Sequence, residues 1–414
     1  MNILHLTYSY LPTLGGVQRS VHNLADELVR RGHHLLIATD GEQPLVYRRV
    51  TPAPVMQLRI PYPFHERMRA RLWARTLDRL NLAVLAALCR RRRIEVVHCH
   101  LVNVDTRYAI WLKRRVGIKV VITVRGGEFH HWIANHTVRR EYVRQMLESA
   151  DAITALSQSQ LDDARMLASG LPPEHAVIRN PADPQAIARH ASRSVEFGCS
   201  APYILFSGRL EQQKRIDWLI AAYHSIIAEA QDCPCDLVIA GAGSLLSELR
   251  RQGAGGPGAA RIHFPGAFGY EDSLALIRDA TVLVLPSQES EGCPNVILEA
   301  MALATPVIVS DHPPLLELVT HEVNGETFAR GDVPALKNRL QSILAEPEKR
   351  SRYAAAALRH LKEQHRFDQI ADAYEALYRR LCESNRESVD APGKLRARSD
   401  ITPKSPQTRT NDPE

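Results

Sequence analysis

Short apolar runs alternate along the chain with longer segments in which apolar residues recur every three or four positions. The first run, Ile3-Leu4-His5-Leu6, ends at the turn-prone Pro12-Thr13-Leu14-Gly15-Gly16. Val17, Val21, Leu24, Ala25 and Leu28 then repeat at helical spacing until Gly32 stops the pattern. Leu35-Leu36-Ile37-Ala38, Val96-Val97-His98, Val120-Val121-Ile122-Thr123 and Ala152-Ile153-Thr154-Ala155 read as the next strands, separated by helical or loop stretches. Such alternation predicts a mostly parallel sheet covered on both faces.

The pattern then restarts. Asn180-Pro181-Ala182-Asp183-Pro184 reads as a turn, and residues 185–200 carry no strong periodicity. Tyr203-Ile204-Leu205-Phe206, Leu237-Val238-Ile239-Ala240, Ile262-His263-Phe264, Val282-Leu283-Val284-Leu285 and Pro306-Val307-Ile308-Val309 form a second series of strands. A chain of 414 residues is too long for one ordinary core. The expectation is two α/β domains, 1–185 and 200–365, joined by a hinge at 185–200. A last amphipathic helix follows at 366–384, with Phe367, Ile370, Tyr374, Leu377 and Tyr378 on one face. The polar residues 385–414 are expected to be disordered.

Composition narrows the class. Seven cysteines, an odd and scattered set, do not form a secreted disulfide framework. Cys233-Pro234-Cys235 is too tight for an ordinary bridge and too isolated for a zinc site. The first residues show no basic leader, and no stretch approaches the roughly 20 apolar residues of a spanning helix, so a cytoplasmic chain is expected. Residues 1–200 carry 28 Lys and Arg against 17 Asp and Glu, whereas the remainder carries 24 against 29. This basic half suits an anionic surface, an anionic acceptor or nucleic acid, or is simply a solvated face. In residues 66–80, Met68, Leu72, Trp73, Leu77 and Leu80 interleave with Arg67, Arg69, Arg71, Arg75 and Arg79. With the basic residues of 90–93 and 113–115 this stretch either lies on anionic lipid at the inner face of the plasma membrane or packs inward as a domain helix. No recognition module accompanies the charge, so nucleic acid is not expected as a partner.

The candidate chemistry sits past the ends of strands, where open α/β sheets bind ligands. Glu291 and Glu299 stand eight positions apart around Gly292, Cys293, Pro294, Asn295 and Val296. Glu299 is suited to accept hydrogen bonds from two ribose hydroxyls and Glu291 to reach sugar hydroxyls; alternatively both carboxylates merely answer a helix macrodipole. Ser207-Gly208-Arg209-Leu210 with Lys214 is a strand, a glycine turn and then cations. Fixed cations aimed at a departing diphosphate stabilise the transition state more than the ground state, Arg209 with two donors at once and Lys214 as a point charge. Gly16 stands where a backbone approaches an anion at a helix start, or in a plain tight turn. Gly241-Ala242-Gly243 is another strand-to-helix turn, without the third spaced glycine of a dinucleotide fingerprint. His98 and His100 share a strand face, but no partner cluster with zinc spacing follows, so they read as core or acceptor-site histidines and not as metal ligands.

The Glu-x7-Glu segment continued by Ala300-Met301-Ala302, together with Arg31-Gly32-His33, Glu95-Val96-Val97-His98, Ser207-Gly208-Arg209, Thr305-Pro306-Val307, Glu317 and Asn324-Gly325, resembles retaining glycosyltransferases of family 4 over about nine-tenths of the chain. The resemblance implies an α/β chain of the GT-B fold, two Rossmann-like domains facing across a cleft, with the last helix crossing back to brace the first domain. It implies a metal-independent hexosyltransferase that uses no cofactor and takes a UDP- or GDP-sugar as donor. The acceptor would be lipid-linked or a saccharide, in cell-surface polysaccharide or glycolipid synthesis. By similarity Gly16 abuts the donor phosphate, Gly208, Arg209 and Lys214 hold the diphosphate, Glu299 the ribose, and Glu291 with the 292–296 loop the transferred sugar. Arg209, Lys214 and Glu291 are the expected catalytic residues; His98, His100, Arg125 and Glu128 face the sugar or acceptor.

The chain departs from the family pattern where Val124-Arg125-Gly126-Gly127-Glu128 replaces a common His, which points to an anionic sugar or acceptor. Asn180-Pro181-Ala182-Asp183 and His312-Pro313-Pro314 also differ. Two other readings remain open at this level: a nucleotide-sugar epimerase on the same scaffold, and a non-catalytic subunit that binds nucleotide sugar.

Overall fold

The computed structural model describes residues 1–11, 15–41, 46–48, 52–61, 68–127, 129, 133, 136–192, 194–199, 202–229, 235–289 and 291–389. The first series of strands forms one sheet from β1 (Asn2–Thr7), β2 (His34–Asp40), β3 (Val46–Arg48), β4 (Val55–Leu58), β5 (Val96–His100), β6 (Lys119–Val124), β7 (Ala152–Ala155) and β8 (Glu174–Val177), in the order β3-β4-β2-β1-β5-β6-β7-β8. The second contains β9 (Tyr203–Ser207), β10 (Asp236–Ala240), β11 (Ile262–Gly266), β12 (Val282–Leu285), β13 (Val307–Ser310) and β14 (Glu326–Phe328), in the order β11-β10-β9-β12-β13-β14. Every pairing is parallel except β3 with β4. The apolar runs are near-continuous because both faces of a parallel sheet are covered by helices. All strands but β3 therefore end toward the same side of their sheet, and the loops that leave them on that side meet in the gap between two lobes.

The segment expected to be an irregular hinge contains a helix, Pro184–His190. Asp183 caps it, its Oδ1 accepting from the amides of Gln185 at 2.9 Å and Ala186 at 3.1 Å, and Pro184 opens it at a position where no amide is needed. Ile187 is too lone an apolar residue to set a period, yet it enters the core of the second lobe.

The last helix, Phe367–Val389, extends beyond residue 384, and residues 390–414 of the expected tail lie outside the described residues. Its apolar face, Ile370, Tyr374, Leu377, Tyr378 and Leu381, shares a core with Ile3, Val21, Leu28, Val96 and Val121 of the first lobe. The two chain crossings run side by side: the Ala182 amide donates to the carbonyl of His365 at 2.8 Å, and His365 Nδ1 meets the carbonyl of Asn180 at 2.8 Å.

The basic stretch becomes the helix Met68–Arg92, preceded by residues 62–67 that lie outside the described residues. Leu77, Leu85 and Cys89 face the core, while Arg75, Arg79, Leu80 and Arg90 are exposed. Among the described residues no helix is long and apolar enough to cross a membrane.

Candidate active site

The loop after β9 is shaped by contact with the loop after β10. The Gly208 amide donates to Ala240 O at 3.0 Å and the Leu210 amide to Ala242 O at 2.9 Å. Gly241, at φ +151°, lies so close under the Gly208 carbonyl that a Cβ would collide with it, and a Cβ on Gly243 would meet the Leu210 carbonyl, so packing accounts for the Gly-Ala-Gly sequence. This leaves Gly208 and Arg209 exposed just past the end of β9. Among the described residues Arg209 makes no hydrogen bond or ion pair.

Downstream, a single 3-10 turn, Gln212–Lys214, is tied to the loop after β12 by the Gln288 amide donating to Gln213 O at 2.8 Å. Lys214 Nζ is thereby brought against Glu291, with which it forms an ion pair. The buried Ser287 donates to the same carboxylate oxygen at 2.5 Å, and Ser310 in turn donates to the Ser287 carbonyl. Glu291 is 6% exposed and Lys214 13%. A carboxylate this buried is tolerated because it is both paired and hydrogen-bonded.

The loop from Glu291 to the following helix meets the first lobe. Asn295 Nδ2 donates to the Gly16 carbonyl at 3.1 Å, and Asn180 Nδ2 donates to Cys293 O at 2.9 Å and Asn295 Oδ1 at 3.0 Å. Gln160 Nε2 reaches Glu291 O at 3.4 Å. A Cβ on Gly292 would stand 2.7 Å from Arg125 O, so only glycine lets the two backbones meet there. Burial pushes the Cys293 thiol up to about 11, which keeps it an inert, protonated wall.

Helix Asn295–Ala302 begins after Pro294 and has no carboxylate in its first turn. Glu299 lies in the second turn and Glu291 precedes the helix, so neither serves the macrodipole, whose effect fades within one turn. Glu299 instead faces an inter-lobe cavity of about 1070 Å³, lined also by Arg19, Asp183, Tyr270, Leu298 and Arg366. Burial raises its carboxyl to about 7, opposed by the nearby Arg19 guanidinium. Arg19 stacks over the Tyr270 ring, 3.0 Å from its centroid, joining the lobes at this wall.

On the first lobe the strand histidines fare differently. His98 is fully buried, its Nδ1 2.6 Å from Tyr378 Oη and its Nε2 2.6 Å from Thr123 Oγ1. With both nitrogens committed under the last helix, His98 fits the core reading of the two that the sequence left open, not the acceptor-site one. His100 is buried at the strand end, and its Nδ1 lies 3.5 Å from Arg125. His5, opposite His98 in the ladder, completes a group of three imidazoles whose nitrogens lie within 4.8 Å of one another. Burial first, then the neighbouring imidazoles and Arg125, hold His98 and His100 well below the ordinary range, so both are neutral. Arg125 also approaches Asn180 Oδ1 at 3.5 Å and flanks the Glu291 loop, whereas Glu128 lies outside the described residues.

Sequence reasoning missed Arg19, Gln160, Asn180 and Tyr270. The only signal among them was Asn180-Pro181, which reads equally as a turn. Glu317 appeared only as a family position; its carboxylate accepts from the amides of Gln158 at 2.9 Å and Ser159 at 3.0 Å, capping a first-lobe helix from the second lobe.

Residues 14–186 match the family model described as Glycosyltransferase Family 4, and residues 191–360 match Glycosyl transferases group 1. The chain is 28% identical to an uncharacterized glycosyltransferase of Methanocaldococcus jannaschii, over 78% of this chain and 84% of that protein. It is 27% identical to a glycogen synthase of Mycobacterium tuberculosis, over 91% of this chain and 94% of that one. The sucrose-phosphate synthase from Thermosynechococcus elongatus superposes with a TM-score of 0.73 at 21% identity, covering 93% of this chain and 100% of that chain, which identifies the two-lobed architecture as the GT-B fold.

Proposed function

Because the chain belongs to the family 4 glycosyltransferases, its two lobes matching the two halves of that family's pattern, we propose that it moves a hexose, with retention, from a UDP- or GDP-sugar to a lipid-linked or saccharide acceptor. The observation that carries this reading is the pairing of Lys214 with Glu291 on the second lobe, in the segment that follows the exposed Arg209 past the end of β9. Donor diphosphate would draw on Arg209 and Lys214, with Gly208 and the exposed Gly16 admitting its oxygens closely. Glu291, held by Ser287, and the amides around Cys293, Asn295 and Val296 would orient the transferred sugar, while Glu299 accepts from the ribose.

The bond between the anomeric carbon and the diphosphate oxygen breaks, and its electron pair stays on phosphate. The acceptor hydroxyl forms the new bond from the same face and passes its proton to the departing phosphate oxygen. The protein then needs cations and positioning groups, not a nucleophile of its own. Arg125, beside the Glu291 loop, selects a sugar or acceptor carrying negative charge, with His100 next to it. No metal is required by this scheme. The exposed Arg75, Arg79 and Arg90 would hold the enzyme on anionic lipid at the inner face of the plasma membrane, where surface polysaccharide or glycolipid is built.

The test is a screen of nucleotide sugars by thermal shift, followed by transfer assays with the donor that raises the melting temperature. Transfer to an acceptor, lost in Arg209→Ala, supports the reading. An isomerised donor formed without acceptor, or binding with no turnover across an acceptor panel, replaces it with epimerisation or with a non-catalytic subunit.

A further inference from the structure

At the end of the second sheet where β10 and β11 begin, opposite the strand ends that face the gap, three potential metal ligands converge. Asp236 is the first residue of β10, His263 the second of β11, and Cys199 lies in the crossing segment just before β9. Val238 pairs with His263 across the ladder, which brings His263 beside the start of β10. His263 Nε2 lies 2.8 Å from Asp236 Oδ2, and Cys199 Sγ lies 3.5 Å from the same oxygen. All three atoms fall within 4.8 Å of one another, and all three residues are partly exposed.

We propose that Cys199, Asp236 and His263 bind one zinc-like divalent cation that fastens the inter-lobe segment to the second sheet. In a tetrahedral zinc site, bond lengths of about 2.0–2.3 Å place neighbouring ligand atoms roughly 3.3–3.6 Å apart. The sulfur-to-carboxylate spacing already has that value; the imidazole would withdraw from the carboxylate by about half an ångström and settle at a like distance from the sulfur, from which it lies within 4.8 Å. Thiolate, imidazole and carboxylate together are a borderline-soft donor set that suits zinc over magnesium or calcium. On binding, Cys199 releases its thiol proton to solvent, and the Nε2 position of His263 gives up any proton it carries. Arg261 Nε donates to the other oxygen of Asp236 at 2.8 Å, orienting the carboxylate so that Oδ2 faces the shared point. Partial exposure admits water as a fourth ligand.

The other two constellations of this kind are less suited. His98 in the three-imidazole group is already committed to Tyr378 and Thr123 through both ring nitrogens, and Glu326 beside His321 is met by two cations, Lys349 and Arg339, where Asp236 meets one guanidinium, that of Arg261, at the oxygen turned away from the shared point. The cation would be structural, so the metal-independent transfer scheme stands or falls separately.

The experiment uses the full chain, stripped with a chelator and titrated with cobalt(II), then zinc(II). One equivalent of cobalt with a thiolate charge-transfer absorption, displaced by zinc, is expected, together with a zinc-induced rise in melting temperature. Cys199→Ser should abolish the absorption, and His263→Gln should weaken binding on the order of tenfold or more. Should one variant fail to fold, the other still decides. No binding at micromolar metal, or absorption and affinity unchanged in these variants, overturns the proposal.

Discussion

Two buried polar groups, Glu291 after β12 and His98 within β5, have opposite fates. Glu291 lies beyond the last ladder residue, on a loop in contact with both lobes; its partner Lys214 comes from the turn after β9 and Ser287 from its own loop. His98 lies inside the ladder, and its partners Tyr378 and Thr123 close over it. The strand-end loop thus leaves its carboxylate at the contact between lobes, while the side chain within the strand is spent on holding the last helix. Residue type alone does not separate the cases; distance from the end of the strand does.

The strongest way to break this comparison is to remove the cations. Lys214→Ala and Arg209→Ala are each expected to lower kcat/KM by roughly 100- to 1000-fold, measured as initial rates of sugar transfer. Melting curves must accompany Lys214→Ala, because that change also strands the buried Glu291 carboxylate. Near-normal rates would place the chemistry elsewhere.

Glu299 sharpens it through pH. Its carboxyl moves from 4.5 to about 7 on folding, so between those values the folded state binds more protons than the unfolded state. This contribution therefore lowers stability as pH rises from about 4.5 to about 7, and is constant above. Glu299→Gln should remove that slope and stabilise the ligand-free protein at pH 8 by on the order of 1–3 kcal/mol. The same change should weaken nucleotide-sugar binding. Unchanged melting at pH 8 against wild type would show that Glu299 is solvated.

Tyr378→Phe probes the other side of the comparison. Loss of its hydroxyl leaves His98 Nδ1 unpartnered, and chemical denaturation should register about 1–2 kcal/mol lost. Turnover per folded molecule should stay within about twofold. A selective fall in kcat would return His98 to the reaction. The smallest effect concerns the exposed arginines: Arg75→Gln and Arg79→Gln should each weaken co-sedimentation with anionic vesicles by about 1 kcal/mol at low salt. Binding that ignores both charge changes and added salt would assign that helix to packing alone.

Much of the fold was legible because buried parallel strands write themselves as apolar runs, as Val282-Leu283-Val284-Leu285 does. The strands that escaped explain why the rest was not. β4 follows Pro52 and Pro54, which read as loop. β14 opens with Glu326, a fully buried carboxylate that Lys349 and Tyr353 satisfy from a distant helix, so hydropathy is silent there. The Pro184–His190 helix carried its start signal in Asp183-Pro184, but one apolar residue, Ile187, gave no period. At the site, motifs local in sequence stood out. The inter-lobe partners Asn180 and Gln160 did not, since their role arises from contacts more than 100 positions away.

The return of the final helix also sets an order of assembly. Ile370, Tyr374 and Leu377 belong to the core around Ile3 and Val21, so the lobe that leaves the ribosome first is completed last. Until the C-terminal helix is translated, the nascent first lobe leaves the His98 and Thr123 face without its cover. A chain interrupted between the lobes would yield a sticky fragment in need of chaperones, not an independent half-enzyme.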